Sequence, residues 1–336
     1  MAESSSQPRF VGIDLGGTSA KIAIADRAGH VMQQATVSTQ ADGRPTPVIE
    51  SIRNQIRQLC DQAGHPVEQL KGIGMGVPGL VDIVTGTTKF LPNLPTQWRD
   101  IEVAEQLADT FRCPVKLLND VRTATLGELR FGYGRSTPEA TFAFFSIGTG
   151  IGGGLVIDGK VHLGRLGAAG ELGHQTIVPD GLRCGCGNRG CLETLASGPA
   201  ITAEGIRLML SGLAPKLREL TDGHCDRVNP ETMAEAADDD TLVDEAIRRA
   251  AAFLGIGAAN VVSMVHPDAI VLGGGVSLLG DRLINEVRNQ IQTRVRMFPT
   301  DQIEVICSTL SADAGLRGAI ALAIDSASDN ALSFWP

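Results

Sequence analysis

The chain has 336 residues, 43% of them hydrophobic, which suits a packed core in one large or two ordinary domains and excludes a disordered or low-complexity chain. Asp and Glu number 38 against 29 Lys and Arg, for a net charge of -9, and no basic block is present. Neither nucleic acid nor an anionic membrane surface is therefore expected as a partner. Aromatics are 4% and glycines number 40, so tight backbone turns matter more here than aromatic platforms.

Residues 1–9 are small and polar, without the apolar stretch of a signal peptide, and read as a disordered N-terminus. Phe10–Asp14 (FVGID) and Lys21–Asp26 (KIAIAD) flank Leu15-Gly16-Gly17-Thr18 and predict a hairpin. Val48, Ile52, Ile56 and Leu59 share one helical face within residues 46–63. Gly72–Val77 is a buried strand ending at Pro78-Gly79. Ile101–Phe111 has the pattern of an amphipathic helix, and Val115–Leu118 that of a strand stopping at Asn119-Asp120.

Near residue 141 the pattern restarts, with strand Phe142–Ile147, turn Gly148-Thr149-Gly150 and strand Gly153–Ile157 ending at Asp158-Gly159. At an offset of 132, Asp14 falls on Ser146, Gly16 on Gly148 and Asp26 on Asp158. Either the chain has two equivalent halves that could close a nucleotide between them, or two unrelated hairpins. Ala246–Met264 is helical. Ala250–Pro267 is uncharged but interrupted by Asn260 and Ser263, a buried helix rather than a membrane span, which needs about 20 apolar residues. Strand Ala269–Leu272, the Gly273-Gly274-Gly275 turn and helix Gly315–Ala323 follow. Strands alternating with helices predict an α/β protein.

Three glycine-rich turns stand out: Asp14-Leu-Gly-Gly-Thr18, Gly148–Gly154 and Gly273-Gly-Gly275. Without a Cβ in the way, successive backbone N–H groups approach an anion closely. Asp14, at a strand end beside such a turn, could hold Mg²⁺ directly or through water. No G-x-x-x-x-G-K-[ST] motif is present, which excludes a Walker-type NTPase, and no helix opens after Gly148 as a Rossmann site requires. Asp120, at the carboxyl end of a strand, lies where α/β proteins place ligands, and one Asp suffices as base for phosphate transfer to a hydroxyl. Capping of the helix that starts near Val121 explains Asn119 or Asp120 equally well, and on this feature alone is the commoner role.

The sharpest local signal is Glu171-x-x-His174 followed by Cys184-x-Cys186-x-x-x-x-Cys191-x-Glu193. One His and three Cys within 18 residues match a closed tetrahedral Cys₃His zinc site. With all four positions filled by protein, such a zinc is structural. An odd total of 7 cysteines, three of them crowded here, indicates a reduced, cytosolic chain rather than a disulfide scaffold. Ligation through one nitrogen of His174 would fix the other toward a ligand hydroxyl, with Glu171 and Glu193 as flanking acceptors. Glu193 also suits the first turn of a helix starting near Leu192.

Together these residues resemble the ROK family of sugar kinases and sugar-responsive repressors, from about residue 10 to 325. The matching motifs are Asp14–Thr18 with Lys21, Gly76-Val-Pro-Gly79, Asn119-Asp120 with Leu126-Gly-Glu128, Gly148–Gly154, the His/Cys block and Leu272–Ser277. The resemblance implies an actin/hexokinase-like (ribonuclease H-like) duplicated fold, two α/β domains around a cleft for ATP and sugar. The small domain would span 10–120, with a C-terminal helix at about 312–326 packed back on it; the large domain would span 121–311 and carry the zinc motif.

By that resemblance Asp120 is the general base for the 6-hydroxyl of a hexose. Gly79, Asn119, Asp120, Glu171, His174 and Glu193 hold the sugar. Asp14, Gly16, Gly17, Thr18, Lys21, Gly148, Thr149, Gly150, Gly152, Gly274 and Gly275 line the ATP–Mg²⁺ site, and His174, Cys184, Cys186 and Cys191 hold zinc. Glucose is the expected substrate; mannose, N-acetylmannosamine, N-acetylglucosamine and fructose kinases share these motifs. A cytoplasmic homodimer or homotetramer is implied. Family repressors carry a helix-turn-helix ahead of the kinase-like body, whereas nine polar residues precede the first strand here, which favours the enzyme. Where many members read Asn-Asp-Ala-Asn-Ala-Ala, this chain has Val121-Arg122-Thr123 after Asp120, an exchange that bears on substrate preference or on contacts near the hinge.

Overall fold

The structure is a computed structural model that describes residues 8–39 and 43–328 and the backbone of 334–335. Of the N-terminus expected to be disordered, residues 1–7 lie outside that range, and Arg9 already opens the first strand.

In chain order the strands and helices are β1 (Arg9–Leu15), β2 (Ser19–Ala25), β3 (Val31–Ser38), α1 (Pro45–Gln62), β4 (Leu70–Val77), β5 (Leu80–Asp82), β6 (Thr87–Phe90), β7 (Ile101–Glu102), α2 (Val103–Phe111), β8 (Val115–Asn119) and α3 (Asp120–Phe131). There follow β9 (Phe142–Ile147), β10 (Ile151–Ile157), β11 (Lys160–His162), α4 (Glu193–Ala196), α5 (Gly198–Leu210), α6 (Pro215–Leu220), α7 (Pro230–Ala236) and α8 (Thr241–Val265). The last are β12 (Ala269–Gly273), α9 (Asp281–Arg294), β13 (Glu304–Cys307), α10 (Ala314–Ser326) and β14 (Phe334–Trp335). No described helix is long and apolar enough to cross a membrane.

Two compact units emerge. Unit 1 runs to Glu139 and takes in Leu155–Gly170 and the chain from Ala312; unit 2 comprises Ala140–Gly154 and Glu171–Ser311. The division therefore falls later than residue 120, because α3 packs along α10 within unit 1. That contact is close: a Cβ at Gly318 would lie 1.7 Å from the Thr123 carbonyl oxygen, a distance no side chain tolerates.

Unit 1 is built on the sheet β3-β2-β1-β4-β8. β1 and β2 form the predicted hairpin, antiparallel from Phe10↔Ala25 to Leu15↔Ala20, and β4 runs parallel to both β1 and β8. The period-2 alternation of β2 sorts its two faces. Ile22 and Ile24 join Val48, Ile52, Ile56 and Leu59 of α1 in the main core, while Ala23 and Ala25 meet Leu316 and Ile320 of α10. Small residues on that second face let α10 rest on the strand backbone, where a Cβ at Gly74 would come within 2.1 Å of the Ala319 carbonyl. The expected helix 101–111 is shorter. Ile101 and Glu102 pair with Thr88 and Thr87 of β6, so the helix starts at Val103.

The second sheet has the order β13-β12-β9-β10-β11-β14. β12, wholly buried, runs parallel to β9 and β13. Read from the other end, β11-β10-β9-β12-β13 repeats β3-β2-β1-β4-β8 strand for strand. Of the two readings of the sequence repeat, the equivalent halves prevail.

Candidate active site

In unit 1 the parallel registers Asp14↔Gly76 and Val77↔Asn119 bring the carboxyl ends of β1, β4 and β8 to one edge. α/β sheets place their ligands at such an edge. Asn119 is the N-cap of α3: its Oδ1 accepts from Val121 N at 3.0 Å and Arg122 N at 3.3 Å. Its Nδ2 donates to the Gly79 carbonyl at 3.2 Å, which joins two of the predicted sugar residues. Gly79 itself has φ 151°, and a Cβ there would meet Phe90 O at 2.3 Å. Asp120 is the first residue of α3, and its Oδ1 also accepts from Val121 N, at 2.9 Å. Capping thus belongs to Asn119, and Asp120 is the acidic residue of the first turn.

At the same edge, burial raises the Asp14 carboxyl above its usual range; Lys21 opposes that and Asp313 adds to it. A bound cation would offset the burial in the same way as Lys21 does. Lys21 Nζ donates to Ala312 O at 3.1 Å and lies 3.9 Å from Asp313 Oδ1. Within the first glycine turn, the Gly16 N–H is taken by Ser19 O at 2.8 Å.

Unit 2 gathers the predicted metal ligands. One donor atom from each of His174, Cys184, Cys186 and Cys191 lies within 4.8 Å of the others. Cys184 Sγ is 3.6 Å from His174 Nδ1, and Cys186 Sγ is 3.7 Å from Cys191 Sγ. Tetrahedral zinc with Zn–S of about 2.3 Å and Zn–N of about 2.05 Å has S···N and S···S edges of roughly 3.6 and 3.8 Å. The donor set therefore fits that ion. Burial pushes the Cys184 thiol up to about 12 and raises Cys191, whereas a hydrogen bond from the Asn188 backbone lowers Cys186. A buried divalent cation supplies the charge that would hold such thiols as thiolates. With Nδ1 facing the sulfurs, Nε2 of His174 points to Glu171, 3.9 Å from Oε2, a gap that a hydroxyl could bridge.

Glu193 opens α4 and also links the cluster to the second glycine turn. Its Oε2 accepts from Ile151 N at 3.0 Å, and the Cys184 thiol donates to its Oε1 at 3.5 Å. A Cβ at Gly150 would sit 2.4 Å from Oε2. Within that turn the Gly148 N–H donates to Gly150 O at 2.9 Å, a closure one residue tighter than that of Gly16 on Ser19, and the Gly148 carbonyl accepts from Gly198 N at 2.9 Å. Gly152 lies in strand β10 rather than in the turn. Gly274 has φ 81° and packs on Ile147, where a Cβ would meet its carbonyl oxygen at 2.4 Å. Gly275 has open space where a Cβ would be.

Unit 1 thus holds Asp14, Lys21, Gly79, Asn119 and Asp120, and unit 2 the residues from Gly148 to Gly152, Glu171, the His/Cys cluster, Glu193, Gly274 and Gly275. Sequence reasoning missed the grip of Glu193 on Ile151 and the approach of Asp313 to Lys21. An acidic residue just ahead of the last helix was the available signal for Asp313. It also missed the position of Arg122, whose guanidinium is buried beside Asn119.

The profile of the ROK family matches residues 10–326. The glucokinase of Thermotoga maritima is 31% identical over 318 residues, covering 94% of this chain and 96% of that one. The xylose repressor of Caldicellulosiruptor bescii is 29% identical over 316 residues, covering 94% of this chain and 78% of that one. Among solved structures, the ROK family glucokinase from Streptomyces griseus in complex with glucose and AMPPNP superposes with a TM-score of 0.77 at 31% identity, covering 94% of this chain and 99% of that one.

Proposed function

The chain belongs to the ROK family, and from that premise we propose that it is a hexose kinase transferring the γ-phosphoryl group of ATP to the 6-hydroxyl of glucose. The observation that carries this reading is the pairing at the end of β8, where Asn119 supplies the helix cap and the adjacent Asp120 is not needed for it. The likeness to glucokinases over nearly their whole length supports the substrate.

Asp120 accepts the O6 proton as the O6–Pγ bond forms and the bond from Pγ to the ADP oxygen breaks; a positioned base contributes roughly 10²–10⁴-fold. Asn119 donates from Nδ2, Glu171 and Glu193 accept from sugar hydroxyls, and His174 offers Nε2–H. The Gly17 and Thr18 amides, Lys21, Thr149, Gly150, Gly274 and Gly275 bind the nucleotide. Mg²⁺, which neutralises phosphate charge when bound, would be held by Asp14. His174, Cys184, Cys186 and Cys191 would hold zinc, whose contribution is to brace the imidazole. A reduced cluster of this kind belongs in a cytoplasm-like compartment.

Initial rates with ATP across glucose, mannose, fructose, N-acetylmannosamine and N-acetylglucosamine test the proposal, with polyphosphate as the competing donor. Glucose should have the highest kcat/KM. Preference for an N-acetyl sugar overturns the substrate assignment, and no turnover of any sugar overturns the kinase.

A further inference from the structure

Arg122 lies in the first turn of α3 and is buried, with the residue 1% exposed. Nη1 donates to Asn119 Oδ1 at 3.1 Å, Nε to the Ala169 carbonyl at 2.8 Å and Nη2 to the Ala168 carbonyl at 2.9 Å. Cap formation asks only that Asn119 Oδ1 accept backbone N–H groups. Here it accepts from two of these and from a cation as well, a charge-assisted bond of the stronger kind. Turning the amide over would set its NH₂ against three donors. Nδ2 is therefore fixed on the Gly79 side, with one hydrogen on Gly79 O and no protein acceptor for the other among the described residues.

We infer that Arg122 is a positioning residue for sugar recognition: it locks the Asn119 amide as a pure donor and, through the same fork, pins Ala168 and Ala169, two residues short of Glu171. This rests on the assignment of Asn119 and Glu171 to the sugar. Its chemical consequence is specific. The sugar hydroxyl that meets Asn119 must accept there and pass its own proton to another acceptor. An analogue lacking that hydroxyl leaves the Nδ2 donor unmatched and is rejected. Lysine keeps the charge at this position but not the planar fork that serves three acceptors.

The test compares wild type with Arg122→Ala, Arg122→Lys, Asn119→Ala and the Arg122→Ala/Asn119→Ala double variant. Measured are kcat and KM for glucose and for its 2-, 3- and 4-deoxy analogues, KM for ATP, and Tm. Expected is a rise of about tenfold in glucose KM for Arg122→Ala, with kcat within threefold and KM for ATP unmoved. The deoxy analogue most strongly rejected by wild type should lose most of its penalty. The double variant should fall well short of the product of the two single effects, because both changes act on the Asn119 contact, while the hold on Ala168 and Ala169 is lost only with Arg122. Arg122→Lys should fall between wild type and Arg122→Ala, and carries the test if the alanine variant does not fold. Multiplicative KM effects in the double variant, or a fall in Tm with glucose KM and deoxy-sugar discrimination unchanged, overturn the inference while leaving the kinase intact. If wild type turns over no hexose, the kinase reading fails and takes this one with it.

Discussion

Asp120→Asn separates chemistry from capping in one substitution. The variant side chain is isosteric, and its amide oxygen can still accept from Val121 N, where Asp120 Oδ1 now does so at 2.9 Å. Asn119 keeps its own bonds to Val121 N and Arg122 N, so the cap is intact. What α3 loses is one negative charge in its first turn, about 0.3–1 kcal/mol at an accessible helix end. For chains of this size that lowers Tm by roughly 1–4 °C. The reaction loses its base, so kcat should fall 10²–10⁴-fold, about 3–5 kcal/mol in the barrier. Glucose affinity, measured by calorimetry without ATP, should stay within a few-fold of wild type. A kcat within tenfold of wild type would remove Asp120 from the chemistry. A Tm loss beyond 10 °C with glucose binding abolished would make it a structural residue after all.

Cys184→Ser should release the metal, read as about one zinc per chain falling to none by elemental analysis, and raise glucose KM by tenfold or more as His174 loses its brace; a metal-free variant of full activity contradicts the assignment. Gly318→Ala forces a Cβ to within 1.7 Å of the Thr123 carbonyl oxygen, and backbone on both sides leaves nothing to rotate away. Denaturant unfolding should show a loss of about 3 kcal/mol, the upper end of overpacking costs, and a loss under 1 kcal/mol would mean the helices separate freely. The Glu204 carboxyl is held down to about 2, first by its hydrogen bond with Arg207 and then by Arg249. A depressed folded-state value stabilises above the unfolded value and is lost as pH falls, so this contribution should disappear between pH 4.5 and about 2. Glu204→Gln should flatten the acid limb of the stability curve in that window by roughly 1 kcal/mol, given that both arginines are more than half exposed; an unchanged limb refutes the pairing.

What the sequence disclosed was mostly short-range. The Gly16-Gly17 hairpin, the Cys184–Cys191 loop with His174 and the cap at Asn119 each depend on residues within about 20 positions of one another, and each formed as its spacing implied. The grip of Arg122 on Ala168 and Ala169 spans 46 and 47 positions, and nothing local announces it. The inclusion of α3 in unit 1, whose first segment runs to Glu139, likewise follows from its lying on α10, a partner nearly two hundred residues downstream. Ile101 and Glu102 fit a helical pattern but pair with β6, because the Thr88 hydroxyl accepts from Ile101 N and ladder bonds outweigh one more helical turn. Helix α9 is legible in the sequence, since Leu283, Val287 and Ile291 recur every fourth residue and are its buried face.

The route of the chain through unit 1 sets an order of events at the ribosome. Strands β1, β4 and β8 have all emerged by Asn119, yet the helix that roofs Gly72 and Gly74 begins at Ala314. Every segment of unit 2 leaves the exit tunnel before that helix does. The N-terminal part, first to be translated, is thus last to be finished, and a nascent chain of some three hundred residues carries a bare sheet face that invites chaperones. A stop codon anywhere ahead of Ala314 would strand it in that condition permanently.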